Sequence, residues 1–379
     1  MTVRRVRTSW PAILIVGAVL VAGCHTSPPA GQTLPVLVSP APSPGLPSPK
    51  RTAAPTAPTD ESADNPVDRV LAISIDGLNP RAIRKLGQSR TPAFHRLMGE
   101  GAYTVNARTV REQTLTLPNH VAMVTGRRVD DKHGGHGYTD NVDNGKTVHQ
   151  AAGHYVASVF DVVHDNGGST SLFASKMKFT LYKRTWNAHG GPDRVGRNDG
   201  RAKIDRVTID GDNTRLVASL TAELRRSPRE FTFVHLSLPD RVGHSRGFMG
   251  KQYLDAVEHT DRLLGRILDT VAARPALRRH TLVLLTADHG GSGGQTHSGA
   301  SRLQNYRIPF MAWGPGVAAG RDLYDVNPDY RDPGVSRSSY RKKQPIRNAD
   351  LANLATDALD LPAVPGSEFD RSRALNVFR

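Results

Sequence analysis

The chain has few cysteines and comparatively few acidic residues, and both shortages narrow what the protein can be. Its only cysteine is Cys24, so intramolecular disulfides are excluded as a source of stability. Lysine and arginine number 50 against 35 acidic residues, which gives a formal net charge of +15. The basic residues are scattered, with no basic helix and no interleaved aromatic residues, so we expect no specific nucleic-acid binding. A positive surface instead favours small anionic substrates.

The N-terminal segment lacks an apolar run long enough for a comfortable transmembrane helix. Arg4, Arg5 and Arg7 precede a short apolar stretch at residues 11–23, and this order is typical of a signal peptide. The stretch ends in LVAGC, which resembles a bacterial lipobox. The resemblance implies that residues 1–23 are removed and that Cys24 is lipidated. The mature protein would then be exported and anchored to the outer face of the bacterial cell membrane.

Residues 24–66 form a tract rich in proline, serine, threonine and alanine. Ten of the 26 prolines lie between Pro28 and Pro58. Proline at this density prevents regular backbone pairing, so we expect a disordered, extended stalk. Residues 67–379 are then expected to form a single catalytic domain, which is long enough to bury a large core.

Five apolar runs in this domain are typical of buried strands. They are RVLAISI (69–75), STSLFAS (169–175), FTFVHLSL (231–238), TLVLLTA (281–287) and IPFMAWG (308–314). Amphipathic patterns typical of helices lie between them, such as QYLDAVEHTDRLLGRILDTVAA. Continuous apolar strands that alternate with helices predict an α/β fold with a mostly parallel central sheet, covered by helices on both faces. Such sheets bind their ligands at the carboxyl ends of the strands.

Acidic and histidine residues cluster just after three of these strands. They are Asp76, Asp240 and Asp288, with His244 four residues after Asp240, His289 directly after Asp288, and His297 at the end of a glycine-rich segment. Any one of the acids could be a simple helix N-cap. Together, three carboxylates and three imidazoles suit zinc or another borderline divalent ion. Six ligands are more than one tetrahedral zinc ion can bind, and they fit two ions about 4 Å apart. We therefore expect two divalent metal ions, preferably zinc.

The segment TLPNHVAMVTG supplies a candidate nucleophile. Pro118 is predicted at the first position of a helix, which places Thr116 at or just ahead of the helix N-terminus. Free N–H groups and the helix dipole favour an alkoxide or a phosphate there. A metal can activate the threonine hydroxyl, and its alkoxide would balance the charge of two divalent ions against three aspartates. An ordinary N-cap is the alternative interpretation of Thr116.

Six motifs, in this order, resemble the alkaline phosphatase superfamily, and most closely its nucleotide pyrophosphatase/phosphodiesterase branch. They are ISIDG, TLPNHVAMVTG, HGYTDN, DRVGH, TADHGG and QTH, spread over the whole of residues 67–379. The resemblance implies one metal bound by Asp240, His244 and His297, and another bound by Asp76, Asp288 and His289, with Thr116 bridging them. It also implies that Asn141 donates a hydrogen bond to a phosphoryl oxygen. The implied mechanism is a double in-line displacement, in which Thr116 attacks phosphorus and metal-activated water hydrolyses the phosphothreonine.

The segment ASKMKF departs from the diesterase branch and is similar to monoesterase and phosphonoacetate hydrolase members. If it is extended, Lys176 and Lys178 project from the same side and meet additional negative charge on the substrate. Solvent-exposed lysines are the alternative.

The leading hypothesis is therefore a two-metal hydrolase of phosphate esters that acts through a phosphothreonine intermediate on a phosphodiester, a pyrophosphate or a phosphomonoester of a small molecule. A phosphonoacetate-type phosphonate hydrolase is the next alternative. A sulfatase shares the fold, but we expect no Cys-x-Pro-x-Arg or Ser-x-Pro-x-Arg segment that could make formylglycine, and this alternative is discounted on that ground. A non-catalytic, membrane-tethered binding module is the alternative of a different class. The identity of the ester and the oligomeric state stay open at this stage.

Overall fold

The computed structural model describes residues 67–188, 202–299 and 302–378. Within these ranges eight strands form one sheet: β1 (Arg69–Ile75), β2 (Ala102–Arg108), β3 (Thr170–Ala174), β4 (Arg206–Ile209), β5 (Phe231–Leu236), β6 (Thr281–Thr286), β7 (Arg307–Trp313) and β8 (Arg321–Asp322). The predicted signal peptide, the lipidation site Cys24 and the stalk lie outside the described residues.

The strands are arranged in the order β4-β3-β5-β1-β6-β7-β2-β8. Only β7 runs antiparallel to its neighbours, β6 and β2, and all other pairs are parallel. The prediction of a mostly parallel α/β sheet is therefore confirmed. Every residue of β3, β5 and β6 is buried, so these strands are covered on both faces.

Helices connect the strands and flank the sheet. They are α1 (Pro80–Arg90), α2 (Pro92–Glu100), α3 (Thr116–Thr125), α4 (Val148–Ala152), α5 (Val159–Asp165), α6 (Thr180–Ala188), α7 (Asn213–Arg226), α8 (Leu238–Arg246), α9 (Lys251–Ala272), α10 (Pro275–Arg278), α11 (Leu303–Tyr306), α12 (Leu323–Val326) and α13 (Leu351–Ala358). None of the helices in the described ranges is both long and apolar enough to cross a membrane.

The predicted strands agree with the structure to within two residues at each end. Strands β2, β4 and β8 were not predicted. Strand β4 has four residues and β8 has two, which is too short for a recognisable alternation. Strand β2 changes register between Thr104 and Ala107, and this irregularity interrupts its alternating pattern.

The centre of the sheet brings the candidate ligands together. Strand β1 lies between β5 and β6 and runs parallel to both, with Ser74 opposite His235 and Thr286. The carboxyl ends of these three strands therefore meet at one edge of the sheet. Asp76 and Asp288 follow β1 and β6 by one and two residues, and Asp240 lies in the first turn of α8, directly after β5.

Candidate metal centre

The first triplet of candidate ligands consists of Asp240, His244 and His297. Asp240 and His244 lie one turn apart on α8 and so share a face of that helix. Asp240 Oδ1 is 3.4 Å from His244 Nε2 and 3.6 Å from His297 Nε2. The two Nε2 atoms are 3.1 Å apart, close to the about 3.3 Å expected for two imidazoles on one tetrahedral zinc. His244 is the most exposed ligand, with 47% of its side chain accessible.

The second triplet consists of Asp76, Asp288 and His289, all fully buried. His289 Nε2 lies 3.4 Å from Asp76 Oδ1 and 3.3 Å from Asp288 Oδ2. Asp288 Oδ1 points elsewhere and accepts hydrogen bonds from the backbone N–H groups of Gly77 and His289. The two triplets adjoin, because His289 Nε2 is also 3.8 Å from Asp240 Oδ1.

All three histidines are oriented by hydrogen bonds to backbone carbonyls. The Nδ1 atoms of His244, His289 and His297 lie 2.8, 2.9 and 2.6 Å from the carbonyl oxygens of Gln295, Gly290 and Thr114. A carbonyl can only accept, so Nδ1 carries a proton in each ring, and Nε2 is the ring nitrogen left to bind a metal ion. Backbone partners of this kind fix the tautomer of metal-binding histidines.

The atoms that face the centre are buried and have no hydrogen-bond partner. They are Asp76 Oδ1, Asp240 Oδ1, Asp288 Oδ2 and His289 Nε2. Buried polar atoms without partners are costly, so such a concentration calls for a ligand. Asp240, His289 and His297, and likewise Asp76, Asp288 and His289, bring their ligand atoms within 4.8 Å of one another. The donor set of carboxylate oxygens and imidazole nitrogens fits one or two borderline divalent ions.

The carboxylates differ in their protonation because their neighbours differ. Burial alone would raise the pKa of Asp76, but Lys176, His235 and His289 lower it well below its usual range. Burial, reinforced by the negative charge of Asp76, raises the pKa of Asp288 well above its usual range. The second triplet is therefore short of positive charge, which a divalent cation would supply.

The glycine-rich segment reaches His297 through close backbone contacts, as its composition predicts. A Cβ on Gly290 would lie 2.1 Å from the carbonyl oxygen of Gln304. The ring of Phe248 fills the space that a side chain at position 243 or 291 would need. A Cβ added to Gly243 or to Gly291 would lie 2.4 Å from the nearest ring atom. Its ring also contacts those of His244 and His297. Phe248 thus supports the first triplet, and its sequence surroundings gave no signal of this role.

Gly77 separates the two triplets and offers a test of their close spacing. Its φ is +71°, and a Cβ there would lie 3.0 Å from Asp240 Cβ and 3.2 Å from Asp240 Oδ1. We expect Gly77→Ala to weaken metal binding by at least about tenfold because Asp240 must shift, as measured by calorimetric titration with zinc. Gly87→Ala is the matched control, since Gly87 has φ +70° and open space around it. Equal zinc affinity in both variants would contradict this account.

Helix α3 begins at Thr116, so the prediction that Thr116 lies at a helix N-terminus is confirmed. Pro118 is the third helical residue, and its prediction at the first position was wrong by two residues. Backbone contacts connect this helix start with both triplets. His297 Nδ1 donates to Thr114 O, and His120 Nδ1 donates to Thr116 O while lying 3.6 Å from Asp288 Oδ2. Thr116 itself is buried.

Asn141 lies beside the start of α3. Its Oδ1 accepts hydrogen bonds from Leu117 N and from Lys178 Nζ, both at 3.1 Å. Because both partners are donors, the carbonyl oxygen is assigned to that side and the amide NH₂ to the other. Asn141 therefore keeps its donor group for another partner.

Lys178 lies in a 3₁₀ turn, Met177–Phe179, and Lys176 directly precedes this turn. The prediction of an extended segment was wrong. Lys178 Nζ reaches Asn141, whereas Lys176 Nζ donates to Asp76 Oδ2 at 2.6 Å and to Asp240 Oδ2 at 2.7 Å. The two acids outweigh the burial of Lys176 and raise its pKa above the usual range. The alternative of freely solvated lysines is thus excluded for Lys176.

A polar network beneath the centre was missed by the sequence analysis. His235 Nε2 lies 2.9 Å from Asp76 Oδ2, and His120 Nε2 lies 2.8 Å from Ser74 Oγ. All are buried. Ser74 and His235 are polar residues within otherwise apolar strands, and they lie opposite each other in the sheet. Polar residues in buried strands are uncommon, and this was the feature of the sequence that could have indicated the network.

The expectation that the chain has no Ser-x-Pro-x-Arg segment was wrong, because SLPDR at residues 237–241 has this pattern. Ser237 is fully buried before α8, where its backbone N–H donates to Ser175 Oγ and its hydroxyl to Ser175 O. Asp240 of the same segment is a candidate metal ligand. Ser237 is therefore held by structural contacts, and the segment gives the sulfatase alternative no support from geometry.

The central sheet with two adjoining Asp–His triplets at its carboxyl edge defines a member of the alkaline phosphatase superfamily. The chain belongs to the Type I phosphodiesterase / nucleotide pyrophosphatase family, whose model matches residues 70–337. This match confirms the resemblance derived from the six motifs.

The chain is also similar to part of longer proteins. GPI ethanolamine phosphate transferase 1 of Yarrowia lipolytica is 25% identical over 314 residues, which cover 77% of this chain and 32% of that protein. The Emericella nidulans protein of the same name is 30% identical over 277 residues, covering 68% and 27%. The chain thus spans about a third of the length of these relatives.

Two solved structures share the fold. Murine ectonucleotide pyrophosphatase / phosphodiesterase 5 matches with a TM-score of 0.57 and 14% identity, covering 82% of this chain and 100% of that one. A 2-O GAG sulfatase matches with a TM-score of 0.50 and 12% identity, covering 79% and 72%. At these identities the likeness concerns the fold alone.

Proposed function

We propose that the protein hydrolyses phosphate esters with two divalent metal ions, preferably zinc, and with Thr116 as the nucleophile. The observation that carries the proposal is the set of four buried ligand atoms without partners, divided between two adjoining triplets. Asp240, His244 and His297 would hold one ion, and Asp76, Asp288 and His289 the other. Metal ions in such sites lower the pKa of oxygen nucleophiles and stabilise the charge on the entering and leaving oxygens.

The chain's own groups support a two-step displacement. Thr116 Oγ1 would form a bond to phosphorus while the bond to the leaving oxygen breaks, and water would then attack phosphorus and release Thr116. We assign the nucleophile to Thr116 and not to Thr114, because the Thr114 hydroxyl is already engaged as a donor to His297 O at 2.7 Å. The amide NH₂ of Asn141, on the side away from Leu117 and Lys178, would donate to a phosphoryl oxygen.

Transfer to another hydroxyl is the second candidate function. The relatives reported above are named ethanolamine phosphate transferases, and both reactions share the attack of Thr116. They differ only in whether water or an alcohol accepts the phosphoryl group in the second step. Incubation of an aryl phosphodiester with graded ethanolamine or glycerol, with products followed by phosphorus NMR, tests this. Inorganic phosphate or a free monoester as the sole product supports hydrolysis, and a new ester of the added alcohol supports transfer.

A variant of Lys178 can show which class of ester the site prefers, because we propose that this lysine binds additional negative charge on the substrate. Its ammonium group lies at the Asn141 side of the site, where it would meet additional negative charge on a phosphate monoester or a carboxylated phosphonate. We expect Lys178→Met to lower kcat/KM about tenfold or more for an aryl monoester or phosphonoacetate, and much less for a diester. Equal losses on matched monoester, diester and phosphonoacetate substrates would contradict this role.

We also propose that Cys24 anchors the protein to a membrane, on the basis of the lipobox resemblance. Cys24→Ser should move the protein from the membrane fraction to the soluble fraction, or leave its signal segment uncleaved, because the residue that receives the lipid is missing. The measurement is fractionation combined with mass spectrometry of the N-terminus. An unmodified Cys24 and unchanged fractionation would contradict the anchor.

A further inference from the structure

Lys176 connects the two ligand triplets through oxygens that the triplets do not use. Its Nζ is 2.6 Å from Oδ2 of Asp76, in the second triplet, and 2.7 Å from Oδ2 of Asp240, in the first. The Oδ1 atom of each carboxylate is buried and has no hydrogen-bond partner. Each aspartate thus divides its oxygens, with Oδ2 toward the lysine and Oδ1 toward the centre.

The geometry around Asp76 shows that this division is built into the fold. His235 Nδ1 lies 3.3 Å from the backbone N–H of Ser175, a donor, so His235 Nε2 carries the proton and donates to Asp76 Oδ2. Asp76 Oδ2 therefore receives two donors. Among the described residues, Lys176 is the only hydrogen-bond donor to Asp240 Oδ2. Asp240 consequently depends on Lys176 more than Asp76 does.

We propose that Lys176 is a positioning residue of the metal centre: it holds Asp76 and Asp240 with Oδ1 facing the ions, and it balances their charge when no metal is bound. The first part rests on the proposed function, and the second does not. Lys176 uses only Oδ2 atoms, so its place is compatible with bound metal. With two of its three N–H groups engaged by Asp76 and Asp240, Lys176 has little left to offer a substrate.

The charge of Lys176 matters because the carboxylates around it are buried. Asp76, Asp240 and Asp288 are at most 2% exposed, and the Lys176 side chain is 17% exposed. Removing one member of a buried ion pair leaves an uncompensated charge and is strongly destabilising. Divalent ions would compensate the same carboxylates. The loss of Lys176 should therefore destabilise the folded metal-free protein far more than the zinc-loaded protein.

The experiment compares thermal unfolding of Lys176→Met and Lys178→Met, each after chelation and with saturating zinc. Lys178 is the matched control, because it lies two residues away and donates to the neutral Asn141 amide. We expect chelated Lys176→Met to melt about 5 °C or more below both the wild type and the control. Zinc should remove at least half of that difference. Lys176→Arg, which keeps the charge, should melt closer to the wild type than Lys176→Met does.

The proposal is overturned if metal-free Lys176→Met melts with the control, or if zinc stabilises the wild type but does not reduce the deficit of Lys176→Met. If Lys176→Met is soluble only when expressed with zinc, the proposal is supported, and insolubility with and without zinc overturns it. A wild type that zinc does not stabilise would instead refute the two-metal function. In that case the comparison of the chelated proteins still tests the charge-balancing role by itself.

Discussion

Removal of metal ions is expected to lower turnover of an aryl phosphate ester by at least about a thousandfold, and zinc is expected to restore it. The loss should be this large because the ions supply several kcal/mol of transition-state stabilisation, at about 1.4 kcal/mol per factor of ten. The purified protein should contain close to two divalent ions per chain. Elemental analysis before and after chelation, with rates measured on the same samples, provides the test.

A ligand variant separates loss of the ions from general damage by chelation. Asp288→Asn should lower the metal content to one ion or fewer, because Asp288 Oδ2 is a buried ligand atom of the second triplet. Asp255→Asn is the control, since Asp255 is a half-exposed acid on α9 that pairs with Lys251. Full activity at negligible metal content would refute the metal centre, and so would equal metal content in both variants.

Thr116→Ala should be the most damaging single substitution that leaves the metals in place. Under the proposed mechanism this substitution removes the nucleophile and with it the covalent step, so we expect kcat to fall at least about a thousandfold. The six aspartate and histidine ligands are unchanged, and metal content should stay near two. Thr116→Ser keeps a hydroxyl at the start of α3 and should retain measurable turnover.

Thr114 provides the discriminating comparison for Thr116. Its hydroxyl donates to His297 O, so Thr114→Ala should loosen His297 and lower zinc affinity without removing the nucleophile. The two variants should therefore differ in kind: Thr116→Ala keeps metal and loses turnover, whereas Thr114→Ala recovers turnover when zinc is raised. Wild-type rates in Thr116→Ala would show that the nucleophile is another residue.

The parts of the fold that follow from local patterns were predictable. β1, β5 and β6 are mainly apolar runs, and the parallel order of such strands gathers their carboxyl ends at one edge. For that reason Asp76 and Asp288, which follow their strands by one and two residues, could be recognised as neighbours although 211 residues lie between them in the sequence. Strands β4 and β8 carried too few residues for any pattern to appear.

The parts of the site that depend on side-chain direction were not predictable. ASKMKF gives the same sequence signal for an extended strand end as for a 3₁₀ turn. The turn at Met177–Phe179 begins between the two lysines, and Lys176 reaches Asp76 and Asp240 whereas Lys178 reaches Asn141. Phe248 reaches the histidines because two glycines from different segments leave room for its ring. Such contacts are fixed by tertiary packing, which local spacing does not encode.

The central claim is that phosphorus is transferred through a covalent bond to Thr116, and trapping this species is the most direct measurement. The zinc-loaded protein is mixed with excess aryl phosphate ester, quenched in acid within the first turnovers, digested and examined by mass spectrometry. The account predicts a phosphorylated or phosphodiester-linked peptide that contains Thr116, seen in the wild type and missing in Thr116→Ala. Steady turnover with an unmodified Thr116 peptide, or with the phosphoryl group on another residue, would contradict it.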